Sequence, residues 1–171
     1  GRKLEEMMGV TFTEAATAIP PGIISGNVRV LSNVVESVGL DVINVIDEPT
    51  AAATVLGITD GAVVDVGGGT TGISILKNGE VVFTADEPTG GTHMTLVLAG
   101  SLGCTFEEAE RIKKDPKQEK LVFPVVKPVI EKMAAIVKRF IEGYDVDVIY
   151  VVGGACSFEK FESVFEHDTG V

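Results

Sequence analysis

Asp65 stands near the end of a short apolar run, Ala62-Val63-Val64-Asp65-Val66, and Gly67-Gly68-Gly69-Thr70-Thr71 follows at once. A carboxylate, three glycines and two threonines in that order suit a nucleotide phosphate. Glycines lack Cβ and let backbone N–H groups approach an anion closely, Thr70 and Thr71 add hydroxyl donors, and Asp65 sits where a magnesium ion would be. The β-branched Val63, Val64 and Val66, and the alternation resumed by Ile73 and Ile75, predict a strand on each side of the loop. That excludes the dinucleotide-binding G-x-G-x-x-G and the P-loop G-x-x-x-x-G-K-[ST], which both open a helix. A plain glycine turn capped by Asp65 stays open as the alternative. It accounts poorly for a carboxylate on a valine strand, which is costly to bury without a partner, and no Lys or Arg lies nearby in sequence.

Three further sets of residues can do chemistry. Asp47-Glu48 ends a second apolar run, Val42 to Ile46, and precedes Pro49-Thr50-Ala51-Ala52-Ala53; locally it also reads as an ordinary acidic first turn of a helix. Gly153-Gly154-Ala155 follows a third apolar run, Val146 to Val152, and glycine turns at the carboxyl ends of strands line the ligand crevice of open α/β sheets. Glu110 and Lys113, three apart on a helix, face one way, and a solvated ion pair would explain them equally well.

The elements that must position these residues follow from punctuation and period. Residues 1 to 8 read as the end of a helix, and Ala15 to Ile19 as a strand stopped by Pro20-Pro21. Ser25 is placed to cap a helix with Val28, Leu31, Val35 and Val38 on one face, ended by Gly39, so that the strand Val42 to Ile46 completes a β-α-β unit. A small-residue helix from Pro49 ends at Gly57. Asn78-Gly79 marks a two-residue hairpin, which makes a three-stranded antiparallel meander around the glycine loop. Beyond Thr89-Gly90-Gly91-Thr92 a helix carries Met94, Val97, Leu98 and Leu102, and Thr105 caps another. An amphipathic helix is expected after Pro124 and Pro128, with Val129, Met133, Val137 and Ile141 in its stripe, and Ser157 is placed to cap a last helix bearing Phe158, Phe161 and Phe165.

Composition narrows the partners. Fourteen Lys and Arg against 25 Asp and Glu leave a net charge of −11, which argues against a nucleic-acid backbone, whereas the few charges of one nucleotide can be met by backbone dipoles and a metal ion. Two cysteines, Cys104 and Cys156, make no disulfide framework, and His93 and His167 fit no zinc pattern. With no apolar run of about 18 residues and no signal-peptide core in the first residues, the reading is a cytoplasmic protein without membrane contact.

Three separated signals in one order, D-E-P-T-A-A-A, D-V-G-G-G-T-T-G-I-S-I and V-V-G-G-A-C-S-F-E-K-F, resemble the ATPase core shared by Hsp70 chaperones, actin and bacterial actin-like proteins. Within that superfamily A-A-T-A-I-P-P-G, T-A-D-E-P-T-G-G-T-H-M, F-E-E-A-E-R-I-K and V-F-E-H-D-T-G are similar to the Hsp70-like proteins of bacterial ethanolamine utilisation, from about Ala15 to the end. The resemblance implies an actin-like (ribonuclease H-like) α/β fold with mixed sheets flanked by helices. Residues 1–57 would be the remnant of a first lobe with the inter-lobe helix, and 58–171 a second lobe with a small helical insertion.

The same resemblance implies ATP or ADP with Mg²⁺ as cofactors. Asp65 would hold the ion through water, Gly67, Gly68, Gly69, Thr70 and Thr71 would wrap the β- and γ-phosphates, and Glu48 would help place the attacking water. Gly153, Gly154 and Ala155 would lie beside the α-phosphate and adenosine, and Glu110 and Lys113 match the ribose-contacting pair. It further implies an ATPase in the full-length protein, weak or inactive in this piece, with a partner protein of the ethanolamine pathway or its microcompartment. An actin-like filament or assembly protein using the same site is the alternative. Two departures stand out: Ser157 replaces an arginine of the chaperones, and the N-terminal D-x-G-T phosphate loop has no counterpart in these residues.

Overall fold

The polypeptide builds two sheets, and helix α3 runs from one to the other. The computed structural model describes residues 2–171. Helix α1 (Arg2–Met8) precedes strand β1 (Glu14–Ile19), helix α2 (Ser25–Glu36) and strand β2 (Asp41–Asp47), and β1 and β2 pair in parallel, giving the expected β-α-β unit. Ser25 is the first residue of α2 and caps nothing; Ile24 holds the cap position without a side-chain bond. The apolar stripe of α2 is present, yet none of its residues is buried, because a two-stranded sheet is too small to cover a helix face.

Helix α3 (Glu48–Leu56) carries Pro49 in its first turn and closes on Gly57 in the left-handed conformation. Next come β3 (Gly61–Val66), β4 (Thr71–Lys77) and β5 (Glu80–Glu87), antiparallel neighbours, and then α4 (Gly91–Leu102) and α5 (Phe106–Lys114). Thr105 accepts from the Glu108 N–H, and the Glu108 carboxylate accepts in return from the Thr105 N–H, a capping box. Helix α6 (Glu119–Ile141), strand β6 (Ile149–Val152) and helix α7 (Phe161–Thr169) complete the chain, and β6 lies parallel to β3 in the order β5-β4-β3-β6.

Three expectations are corrected here. Helix α6 begins at Glu119 and runs through both prolines; Pro124 and Pro128 lie four apart on its exposed face, so the carbonyls they leave unpaired, of Lys120 and Pro124, can be met by water. The third apolar run is a strand only over Ile149–Val152, since Asp147 precedes the ladder. Ser157 does not cap α7, which starts after Lys160; its hydroxyl donates to the Gly154 carbonyl.

The four-stranded sheet separates two environments. Ala62, Val64, Val66, Ile73 and Ile75 face the main core and pack with Met94 and Leu98 of α4, Val126 and Ile130 of α6, and Phe161 of α7. The opposite face meets α3: Val63 and Leu76 bury Ala53, and the Thr50 and Ser74 hydroxyls are 3.0 Å apart. Asp65 belongs to this second face. Among the described residues no helix is long and apolar enough to cross a membrane.

Candidate nucleotide site

The loop 67–70 is held from behind. The Gly67 N–H donates to the Thr70 carbonyl (3.0 Å), and the Gly67 and Gly68 carbonyls accept from the N–H groups of Gly91 (2.9 Å) and Thr92 (2.8 Å), the first two residues of α4. With its carbonyls tied to that helix, the loop leaves the N–H groups of Gly68, Gly69 and Thr70 without a backbone acceptor among the described residues. Such a row of amides is an anion cradle. The Thr71 hydroxyl, read from the sequence as a phosphate donor, is instead buried and given to the Thr89 carbonyl at 2.7 Å, so of the two only the Thr70 hydroxyl remains at the loop, beside Asp86.

The second glycine turn abuts this loop. Gly153 has φ 101°, and a Cβ there would lie 2.4 Å from the Val66 carbonyl and 2.7 Å from Asp65 Oδ1. No other residue fits so close an approach. The sequence-predicted Gly153, Gly154 and Ala155 are thus brought against Asp65 and the end of β3.

Three carboxylates share the α3 side of the sheet. Asp65 is directly opposite Gly72 on β4, and Gly72 is directly opposite Asp86 on β5, so Asp65 and Asp86 flank the glycine on one face. Side-chain atoms cannot fill the gap at Gly72, where a Cβ would be 3.2 Å from both Pro21 and Pro49. Glu48, beside Pro49 and the first residue of α3, is the third carboxylate, and its titration responds to Asp65 and Asp86.

Burial pushes Asp65 up from its ordinary pKa. Burial does the same to Glu48, reinforced by the charges of Asp65 and Asp86. Asp86 is raised by burial and by Glu87, against a lowering from the Thr70 hydroxyl, and its Oδ1 is buried with no hydrogen-bond partner. Among the described residues none of the three has a Lys or Arg at ion-pair distance. No three of the described acidic, His or Cys residues are arranged to chelate a metal directly. Unpaired carboxylates beside free amides fit a hydrated divalent ion with nucleotide phosphates, since magnesium keeps most of its waters and takes one or two carboxylates.

Sequence reasoning missed Asp86, and the reason is geometric. An unbroken hairpin from Asn78-Gly79 would pair Gly72 with Ala85 and turn Asp86 to the core face. The observed ladder pairs Leu76 with Val81 but Ile75 with Phe83, and the extra residue, Val82, is a β-bulge that moves Asp86 onto the face of Asp65.

Beyond the loop a cavity of about 520 Å³ continues from Gly67 and Gly68 past Glu110, Lys113 and Lys114 to Ser157 and Phe158. Glu110 and Lys113 are joined as predicted, with Lys113 Nζ 2.7 Å from Glu110 Oε2 and Lys114 Nζ 2.9 Å from Oε1. Thr95 of α4, which no local signal marks because it lies 15 residues before Glu110, donates to the same carboxylate. Burial would raise Glu110, but hydrogen bonds from Lys113, Thr95 and Lys114 together with the Lys113 charge hold it down at about 2.

The family model of the type IV pilus assembly protein PilM matches residues 51–171, the stretch that carries loop, cavity and second glycine turn. The chain belongs to this actin-like family. Within it the sequence is EutJ-like, as the motifs suggested: the ethanolamine utilization protein EutJ of Salmonella typhimurium is 49% identical over 162 residues, 95% of this chain and 56% of that protein. The crystal structure of EutJ from Carboxydothermus hydrogenoformans superposes with a TM-score of 0.89 at 50% identity, over 99% of this chain and 62% of that one. The crystal structure of MreB 5 of Spiroplasma citri bound to AMPPNP matches with a TM-score of 0.81 at 18% identity, over 92% of this chain and 62% of that one, which shows the actin-like fold alone. The EutJ-like chain therefore spans little more than half the length of the relatives it matches.

Proposed function

We propose that this chain is the nucleotide-binding part of an ATP-dependent switch of ethanolamine utilisation, cytoplasmic and Hsp70-like in mechanism. The observation that carries the reading is the meeting of a carboxylate face without a cation with the unpaired amides of Gly68, Gly69 and Thr70. MgATP supplies the missing cation and anion together: phosphate oxygens take the amides, and the hydrated ion sits towards Asp65. Lobe closure then transmits the state of the nucleotide to a protein partner of the pathway or its microcompartment. Residues 1–57 and 58–171 form the two sides of that closure. The relation to MreB supports a second reading, a filament or assembly protein with the same site, and sedimentation with and without ATP separates the two.

Within this reading Glu48 acts on rate. Its carboxylate faces the site from α3, its charge opposes direct phosphate contact, and it is placed to orient a water at the γ-phosphate. Asp47, the last residue of β2 and the cap position of α3, has its pKa raised by burial alone, without a contribution from Asp65 or Asp86. Single-turnover hydrolysis and nucleotide affinity for Glu48→Gln and Asp47→Asn, in a protein long enough to supply both phosphate loops, test it. Glu48→Gln should slow hydrolysis on the order of 10²-fold with affinity little changed. Asp47→Asn as the slower variant would overturn the assignment.

A further inference from the structure

The lysine that the resemblance would put on the ribose has no proton left to give. Lys113 Nζ carries three protons and has three protein acceptors: Glu110 Oε2 at 2.7 Å, the Gly91 carbonyl at 2.9 Å and Thr95 Oγ1 at 2.6 Å. Its side chain is 10% exposed, whereas that of Lys114, with Glu110 Oε1 alone, is 73% exposed. Two of the three acceptors belong to the first turns of α4, and the N–H of that same Gly91 holds the Gly67 carbonyl. A continuous chain of bonds thus runs from α5 through Lys113 to Gly91 and on to the back of the phosphate loop.

We propose that Lys113 is a positioning residue: with Glu110 and Thr95 it pins the start of α4, so that Gly91 and Thr92 hold the Gly67 and Gly68 carbonyls and the loop amides stay turned towards the phosphates. Gly91 itself is pressed between partners, since a Cβ there would be 3.0 Å from the Ala155 Cβ and 3.6 Å from Lys113 Nζ, so the pin also sets the spacing between the two glycine turns. The proposal rests on the nucleotide reading only for its ligand consequences; the pin itself is a property of the free protein.

Two variants test it, Lys113→Met and the shape-conserving Thr95→Val, with Thr95→Ser as the variant that keeps the hydroxyl. In the free protein, amide exchange at Gly91 and Thr92 should accelerate on the order of tenfold in the first two and stay at the wild-type rate in Thr95→Ser, while β3 amides remain protected in all. Unchanged exchange at Gly91 and Thr92 would overturn the pin whatever the nucleotide result. For the ligand, MgATP, adenosine and 2′-deoxy-ATP are compared by calorimetry in a protein long enough to supply both phosphate loops. Both disruptive variants should weaken MgATP on the order of tenfold, keep adenosine affinity, and keep the wild-type ratio of ATP to 2′-deoxy-ATP. Equal loss of ATP and adenosine with the 2′-hydroxyl preference abolished would mean that Lys113 does contact the ribose. If the wild type binds none of the three, the nucleotide reading falls, and the exchange rates still decide the pin.

Discussion

Two acidic regions, one lining the cavity beyond the glycine loop and one on the α3 face of the sheet, are built on opposite principles. Where α4 meets α5, Glu110 receives Lys113, Lys114 and Thr95, and its pKa falls to about 2. On the α3 face Asp65, Asp86 and Glu48 face one another without a cation among the described residues, and all three pKa values rise. The first region is finished by the protein and adds to its stability. The second is left unfinished, which costs stability and leaves a place that a divalent ion can complete.

The sharpest way to break the contrast is Asp65→Asn in a protein carrying both phosphate loops. The amide keeps the shape and loses the charge, so magnesium-dependent phosphate release should fall on the order of 10²-fold or more, while the melting temperature holds or rises. Wild-type turnover would return Asp65 to the role of a turn cap. Glu110→Gln should do the reverse: it leaves the largely buried Lys113 without its counter-charge and should lower unfolding free energy by about 2 kcal/mol in urea titrations. A change within about 0.5 kcal/mol would mean that solvent already screens the pair.

The smallest effect is in the pH profile, and it distinguishes the two regions by sign. Glu110 is held below its ordinary value of 4.5, so its contribution is present above that value and is lost as pH falls towards 2. The cleft acids are raised above 3.8 for Asp65 and Asp86 and above 4.5 for Glu48, so their contribution is present below those values and lost as pH rises through the raised ones. Stability should therefore peak in mildly acidic solution, with a decline towards neutral pH that Mg²⁺ reduces and Asp86→Asn flattens. Melting curves from pH 3 to 8 (roughly spanning both ranges), with and without Mg²⁺, check this. An Mg²⁺ effect of equal size in Asp65→Asn would place the ion elsewhere.

What could be read without coordinates was whatever local chemistry determines. Asn78-Gly79 gave the hairpin, Gly57 the end of α3, and Thr105 with Glu108 the capping box, because each acts within a few residues. The strand-loop-strand around Gly67 to Thr70 was legible for the same reason. Hidden were the consequences of contacts between distant segments. Thr95 finds Glu110 only because α4 and α5 pack together, and the same packing gives Lys113 its bonds to Gly91 and Thr95. Helix α6 passes through two prolines because its buried face, from Val122 to Ile141, outweighs the two lost backbone bonds on the wet side.

The bulge at Val82 shows that a pleated strand is read in a two-letter frame. One residue left out of the ladder exchanges inside for outside along all that follows, so Asp86 reaches the cleft through the bulge and not through a change of side chain. Were Val82 taken into the ladder, Ala85 would stand opposite Gly72 instead, whereas deleting Val82 would leave Asp86 there, so the hairpin carries the cleft carboxylate only as long as its extra residue stays bulged.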